Sequence, residues 1–377
     1  MILVCQGHKD FAETRMAPLY WGYAEHVRVL YVQGDLGHFG IQSGQALLGS
    51  STFGASTRGR GLDVIRLPAS LPGGRFEAVA HLNRWAALRL LLKRLAAQGA
   101  GPTVLMVQRP YLLPQLNGLP ASLKVYEITE DYGAQAHHDT HRRRILKAHK
   151  RLLRQADRVW ATTGHLEAGV RDQRPDVVRT SLGVDFDAFA RGLERPEPTA
   201  LRRIPGPRIG LVGRLNDRID WDLVERLVWV RPDWHLVVVG PIHRAGVATR
   251  DALGRLEGSP NFHLLPAVPH REMPAYLARL DVCLIPYRIT QGTQGVHPNK
   301  LYEYLAAGRP VVSTPLPAVE EFGDVVRTAA ADTFVEAIEQ TLATGNDSII
   351  AVGRERMRNL DWARIAEQRV ERLRNEV

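Results

Sequence analysis

Short apolar runs alternate with amphipathic stretches along nearly the whole chain. In the first half, Ile2–Cys5, Val27–Val32, Val64–Leu67, Val104–Gln108, Lys124–Ile128 and Arg158–Thr162 read as buried strands. Between them, 79–97 predicts a long amphipathic helix. Leu82, Trp85, Leu88, Leu92 and Leu95 fall on one side of it, and Arg84, Arg89, Lys93 and Arg94 give it a basic face. The proline-rich stretch 195–207 has no apolar period and reads as a linker. The alternation then restarts, with strands expected at Arg208–Val212, Trp234–Val239, Phe262–Leu264, Val282–Ile285 and Pro310–Ser313. Strand and helix periods in this succession are the mark of βα units on parallel sheets. The expected fold is α/β, with two doubly wound Rossmann-like domains facing across a cleft. The expected division is 1–195, a linker at 196–207, 208–355, and a C-terminal helix in 356–377. That last helix carries Leu360, Trp362, Ile365, Ala366, Val370 and Leu373 as an apolar stripe that must be covered.

The length, 377 residues, suits two domains of ordinary size. Apolar residues at 45% and charged residues at 24% are the balance of a globular protein, and no run approaches a membrane-spanning helix. The first residues enter a strand pattern with no basic export leader, and the two cysteines, Cys5 and Cys283, sit inside apolar runs as buried thiols. Both features make the cytoplasm the expected compartment. The net charge of +9 changes the picture more. It favours anionic partners: nucleic acid, an acidic membrane surface or phosphorylated small molecules. Much of it lies in Arg142, Arg143, Arg144, Lys147, Lys150, Arg151 and Arg154, with no acidic residue among them. This stretch is either a solvated helix face or a surface for anionic lipid or an anionic acceptor. Zinc-finger, RNP and helix-turn-helix patterns are lacking, and the basic helices carry no interleaved aromatics, which argues against nucleic acid.

The richest chemistry lies in 281–314: a strand, a loop with Gly292 and Gly295, then His297-Pro298-Asn299-Lys300-Leu301-Tyr302-Glu303-Tyr304-Leu305-Ala306-Ala307-Gly308-Arg309-Pro310-Val311-Val312. Pro298 suits a first helical turn and Gly308 a C-terminal cap. A helix beginning there, at the carboxyl edge of a parallel sheet, can seat a diphosphate. Lys300 adds a full positive charge, and Glu303, three residues on, can accept the hydroxyls of a ribose.

This string resembles the C-terminal signature of family-4 GT-B glycosyltransferases, in particular the branch with P-x-K-x-x-E-Y-L-A-x-G-x-P-V-V. The resemblance runs from about 205 to 345. It includes Ile209-Gly210-Leu211-Val212-Gly213-Arg214, whose glycine and arginine approach the donor diphosphate in that family, and the stretches 261–266 and 281–287. The first half matches more loosely, at Ala156-Asp157-Arg158-Val159-Trp160-Ala161-Thr162-Thr163 and Leu182-Gly183-Val184-Asp185. The resemblance implies sugar transfer from a nucleotide-diphosphate sugar to a sugar or lipid-linked sugar acceptor in polysaccharide or glycoconjugate biosynthesis. It further implies retention of anomeric configuration, no cofactor or bound metal, and a last helix crossing back to the N-domain. Lys300 and Arg214 would neutralise the departing diphosphate. Gly7, Gly213, Arg214, Arg218, Val268, Gly295, Asn299, Lys300 and Glu303 form the expected donor-binding set.

Two positions depart from the family pattern. The carboxylate that often lies eight residues before the Glu303 position is replaced by Gly295. The lysine often found beyond the first arginine falls near Ile219, with Arg218 beside it as the candidate second cation. In the first half, Gly7-His8 follows the first strand where a GT-B loop approaches the donor phosphates, and a plain turn reads equally there. Asp131, and after it Glu130, are candidates for a general base beyond the strand at 124–128. A zinc site from His137, His138, Asp139 and His141 is an alternative that no residue elsewhere completes. Two other functions remain open at this point: a nucleotide-sugar epimerase of the same fold, and a non-catalytic nucleic-acid-binding protein.

Overall fold

The computed structural model describes residues 1–7, 16–33, 55–59, 61–66, 85, 88–89, 91–97, 99, 101–110, 118–134, 139–242 and 245–377. His8, Leu82, Arg84, His137 and His138 lie outside them. The chain divides into two compact units: Met1–Ser181 together with Trp362–Val377, and Leu182–Asp361.

The first unit is built on β1 (Ile2–Gly7), β2 (Arg28–Gln33), β3 (Ala55–Gly59), β4 (Leu62–Arg66), β5 (Thr103–Val107), β6 (Leu123–Ile128), β7 (Arg158–Ala161) and β8 (Val178–Arg179). Among the described residues they form one sheet in the order β3-β4-β2-β1-β5-β6-β7-β8. All pairings are parallel except β3 with β4. The strand order reverses between β1 and β5, as in a doubly wound sheet. Continuous apolar runs such as Thr103–Val107 are buried on both faces, as helix-covered parallel strands require. Helix α1 (Ala17–His26) precedes β2, and helix α2 (Asp139–Gln155) follows β6. α2 buries Ile145, Leu152 and Leu153 and exposes Arg142, Arg143, Arg144, Lys147, Lys150, Arg151 and Arg154. In the stretch read as helix 79–97, Leu91 and Leu95 are buried. Trp85 is not part of that buried side: it stays 54% exposed, with the Arg89 guanidinium 4.5 Å from its ring centroid.

The second unit carries β9 (Arg208–Val212), β10 (His235–Val239), β11 (Phe262–Leu265), β12 (Val282–Ile285), β13 (Val311–Ser313) and β14 (Arg327–Thr328). Their order, β11-β10-β9-β12-β13-β14, is parallel throughout. Counted from β9, this is 3-2-1-4-5-6, the Rossmann arrangement, with its switch point between β9 and β12. The helices that matter below are α3 (Phe186–Ala190), α4 (Lys300–Ala306), α5 (Asp347–Asn359) and α6 (Trp362–Arg374).

Two boundaries differ from the reading of the sequence. The second unit begins at Leu182, and the stretch 196–207 expected as a linker packs within it. Leu201 and Ile204 are buried, and the Arg208 guanidinium donates to the carbonyls of Leu201 and Ile204 at 3.0 and 2.8 Å and to Glu197 at 3.0 Å. Its prolines set turns there, one with the Leu201 N–H donating to the Pro198 carbonyl at 2.9 Å. The expected C-terminal helix is also interrupted. α5 ends at Asn359, and α6 starts at Trp362 after Asp361 has turned to accept the Phe186 N–H at 2.9 Å.

α6 packs on α1 in the first unit and buries Trp362, Ile365, Ala366, Val370 and Leu373. Contact is so close at Gly22 that an added Cβ would lie 2.7 Å from Ala366 Cβ. The same helix brings Arg369 into the core, where only 5% of it is exposed. Its guanidinium lies 2.8 Å from Glu127 Oε1 and donates to Ser181 O at 2.8 Å and Tyr23 Oη at 3.2 Å. Gln108 donates to the other Glu127 oxygen at 2.7 Å and accepts from Tyr20 Oη at 3.2 Å. Burial opposes the Arg369 charge, but Glu127 and Tyr23 outweigh it and hold the guanidinium above its ordinary value.

Candidate active site

Ligands of a doubly wound sheet bind beyond the strand carboxyl ends at the switch point. In the second unit that point lies between the ends of β9 and β12. β9 runs into Gly213, whose φ of +119° belongs to the region that favours glycine. The Gly213 N–H donates to Val239 O at 2.9 Å. Gly240, at φ +149°, follows β10 so closely that a Cβ there would fall 1.9 Å from Gly213 O. Two adjacent strands thus end in glycines that let the backbone fold tightly at the sheet edge.

The helix α4 closes over this turn. It is shorter than the sequence suggested: Pro298 precedes it, Asn299 is its N-cap, and no side chain caps it. The Leu301 and Tyr302 N–H groups are satisfied by Pro298 O and Asn299 O at 2.8 and 3.2 Å. Two of the amides at this helix start are therefore bonded within the turn, and the cationic side chains stand beside the others as candidates for a diphosphate. At the other end Gly308, at φ +67°, closes a Schellman turn. Its N–H donates to Leu305 O at 3.0 Å, and that of Arg309 to Tyr304 O at 2.9 Å. Tyr304 ties the helix to the turn, its hydroxyl accepting the Val212 N–H at 3.0 Å. Burial pushes this phenol well above its ordinary value, so it stays protonated.

Lys300 is 6% exposed. A Cβ added to Gly213 would lie 3.2 Å from both Cε and Nζ of Lys300, so the ammonium rests against that glycine turn. On the β12 side it sits 5.2 Å from the ring centroid of Tyr287. Thr314 fixes the Tyr287 main chain, accepting from its N–H at 3.1 Å and donating to its carbonyl at 2.8 Å. The Lys300 ammonium is buried and has no hydrogen-bond partner among the described residues. A buried cation in that state is costly to the fold, and pairing with an anion would relieve the cost.

Glu303 is also 6% exposed and has a histidine beside it. His270 Nε2 stands 2.9 Å from its Oε1. His270 opens a single 3-10 turn, His270–Glu272, beyond β11. The sequence reading missed it. The signal was a proline followed by polar residues just past a strand of a ligand-binding sheet.

The other expected residues are distributed as follows. Arg214 is exposed directly after Gly213, and Arg218 is half-buried, its N–H donating to Asn216 Oδ1 at 3.1 Å. Val268 is half-buried between β11 and His270, Asn299 is exposed, and Gly295 ends the short helix Gln291–Gln294. In the first unit, Gly7 is the last residue of β1, beside the reversal of strand order. Glu130 and Asp131 follow β6, and both are half-buried. Asp131 Oδ1 accepts the Ala134 N–H at 2.9 Å, which braces the turn. Among the described residues no three His, Cys, Asp or Glu are grouped to hold a metal. A cavity of about 680 Å³ lies at the opposite, amino ends of β9, β10 and β12, lined by Pro207, Trp234 and Asp281. It is not the crevice that gathers these residues.

Comparison with known proteins follows the same outline. Residues 206–370 match the family model described as glycosyl transferases group 1. They form a glycosyl transferases group 1 domain. TuaH of Bacillus subtilis (strain 168), named provisionally as a glycosyltransferase of teichuronic acid biosynthesis, is 28% identical over 232 residues. That match takes in 59% of this chain and 58% of TuaH. Sucrose-phosphate synthase from Thermosynechococcus elongatus superposes with a TM-score of 0.73 at 16% identity, covering 99% of this chain and 98% of its own. An E. coli trehalose-6-phosphate structure bound with UDP-2-fluoro glucose gives 0.70 at 14%, covering 99% of both chains. At these identities the structures share the fold, the α/β architecture of GT-B glycosyltransferases with two largely parallel sheets.

Proposed function

We propose that the protein transfers a sugar from a nucleotide-diphosphate sugar to an acceptor hydroxyl, in the building of a polysaccharide or glycoconjugate. The observation that carries this reading is the Lys300 ammonium, buried without a hydrogen-bond partner among the described residues and resting against the Gly213 turn of a group 1 domain. The donor diphosphate supplies the missing anion there. As the bond from the anomeric carbon to the diphosphate oxygen breaks, negative charge grows on the leaving group, and Lys300 with Arg214 stabilises it. Glu303 accepts from the ribose hydroxyls. Asp131, and after it Glu130, are the carboxylates for the acceptor side. With Gly295 where the family often has a carboxylate, the sugar itself is held by groups other than that side chain.

The relatives of known name support the class. TuaH's name concerns teichuronic acid biosynthesis, and the E. coli structure holds UDP-2-fluoro glucose. We further place an anionic membrane surface among the partners. α2 turns its arginines and lysines outward and Ile145, Leu152 and Leu153 inward, with Leu146 exposed among the cations, and near an anionic bilayer each such cation contributes about 1 kcal/mol. No helix among the described residues is long and apolar enough to cross a membrane. Docking through α2 is electrostatic, since cations are what that face presents. It disappears in high salt and requires anionic lipid in a liposome sedimentation assay.

A thermal-shift screen of nucleotide sugars and nucleoside diphosphates tests the main reading. A ligand at a hundred times its Kd stabilises the folded state by about 2.7 kcal/mol. The expected result is a clear rise in melting temperature with one base, followed by sugar transfer to an added acceptor. No shift with any nucleotide overturns the proposal.

A further inference from the structure

We infer that Tyr287 is the positioning residue for Lys300, its aromatic face holding the ammonium at the Gly213 turn. This rests on the donor reading above, and it adds a group that lies outside the expected donor-binding set.

The ring is fixed by its own main chain. Tyr287 lies just past β12 and is 9% exposed. Its N–H is shared between Ile285 O and Thr314 Oγ1, both at 3.1 Å, and the Thr314 hydroxyl donates to its carbonyl at 2.8 Å. From the other side Tyr287 pairs with Ile219 in an antiparallel bridge. The Asp220 N–H donates to Pro286 O and the Arg288 N–H to Arg218 O, each at 2.8 Å. The tyrosine is thus clamped between the end of β13 and the loop that carries Arg214 and Arg218.

Lys300 has no such clamp along its side chain. Its four-carbon stem is flexible, so a position in the first turn of α4 does not decide where the ammonium points. Two contacts do. The Gly213 turn lies against Cε and Nζ, and the Tyr287 ring centroid is 5.2 Å from Nζ. Within about 6 Å a cation is drawn to the negative face of an aromatic ring, most strongly where water is excluded. Lys300, at 6% exposed, meets that condition.

The choice of partner matters for the chemistry. A carboxylate in the place of the ring would orient the ammonium equally well but cancel its charge, as Glu127 does for Arg369. A ring face orients the cation and leaves its charge and its three N–H donors available. That is the preorganisation that stabilising charge on a leaving diphosphate requires. Loss of the ring should therefore appear in the rate of transfer more than in donor affinity.

The test measures release of nucleoside diphosphate from the nucleotide sugar that the thermal-shift screen selects, as kcat and KM. Tyr287→Phe keeps the ring and should stay within about twofold of wild type. Tyr287→Leu removes it and should lower kcat about tenfold, with KM changed by less than roughly threefold. Replacing Tyr287 in turn by phenylalanine, para-fluorophenylalanine and trifluorophenylalanine keeps the shape while draining the ring face of electron density. Along that series kcat should fall stepwise, which packing alone would not produce. In a Lys300→Met background, Tyr287→Leu should lower the rate no further, because the two residues act as one. A rate indifferent to fluorination overturns the inference and leaves the donor reading standing. An equal Tyr287→Leu loss with and without Lys300 does the same. A wild-type rate in Lys300→Met removes Lys300 from the donor reading, and this inference falls with it.

Discussion

Each unit buries a cation, and the two are treated in opposite ways. In the first unit, Arg369 meets Glu127, Tyr23 and the Ser181 carbonyl, and the far oxygen of Glu127 is taken by Gln108. Arg369 Nε is the one guanidinium nitrogen of this group without a hydrogen bond. In the second unit, Lys300 is buried to a similar degree, yet its ammonium has the Tyr287 ring face and no hydrogen bond among the described residues. The first charge is neutralised by the chain, so it fixes α6 in place. For the second, no described residue supplies a hydrogen bond. Burial alone therefore does not separate a structural cation from a functional one, whereas the state of its partners does.

Removing each cation sharpens the contrast, because the expected signs differ. Arg369→Met should strand the Glu127 carboxylate in the core, where breaking a buried pair costs about 3–5 kcal/mol. Urea denaturation should show that loss, or the protein should fail to fold. The double variant Arg369→Met with Glu127→Leu should recover much of it, since the uncompensated charge is then gone. A loss below about 1 kcal/mol in the single variant would mean that the network does not hold the helix.

Lys300→Met should leave stability unchanged or raise it, because an uncompensated buried ammonium is replaced by an apolar chain of similar length. The rate of transfer should nonetheless fall roughly 10²- to 10³-fold, the scale of one preorganised group at a developing charge. A stability loss like that of Arg369→Met, with activity retained, would place Lys300 with the structural cations. A smaller effect is expected from Glu303→Ala. Nucleotide affinity should fall about tenfold through the lost charge-assisted bond, measured as Kd with the melting temperature little changed.

The features that were legible in the sequence are those carried by local periodicity or by contiguous strings. The alternation of runs exposes both sheets, and the order Gly213-Arg214 followed by the 298–312 string exposes the site. What stayed hidden depends on contacts distant along the chain. Arg369 and Glu127 are brought together by the return of α6, and neither residue carries a sign of it: one lies on a helix that reads as amphipathic, the other in a strand. The partner of Glu303 comes from a turn on a different strand's end. The edge strand β3, Ala-Ser-Thr-Arg-Gly, escapes because it holds no apolar run, and β8 because two residues hold too little pattern. Trp85 shows that an apolar stripe states a capacity for burial, not its extent.

The smallest expected effect concerns pH, and it again sets the two units side by side. Each unit holds a histidine whose value is lowered, His149 and His263. Burial is the larger cause for both. At His149 the Asp131 charge opposes it, and at His263 the charge of His235 adds to it. A folded-state value below the unfolded one, ordinarily about 6.5, gives stability that is complete above that pH. As pH falls through 6.5 the unfolded chain takes up protons first, and stability is lost until the folded values are passed. The urea midpoint should therefore decline from pH 7.5 toward pH 5. His149 is also hydrogen-bonded through Nδ1 to Tyr126 Oη at 2.8 Å, so His149→Gln keeps a polar partner while removing the titration. This variant should flatten part of the decline. Asp131→Asn acts in the other direction: without the carboxylate charge the His149 value drops further and the acid loss deepens. The two variants thus separate the electrostatic role of Asp131 in the first unit from any part it has in transfer. An Asp131→Asn protein with an unchanged pH profile of stability would show that the carboxylate does not act on His149, whatever its activity.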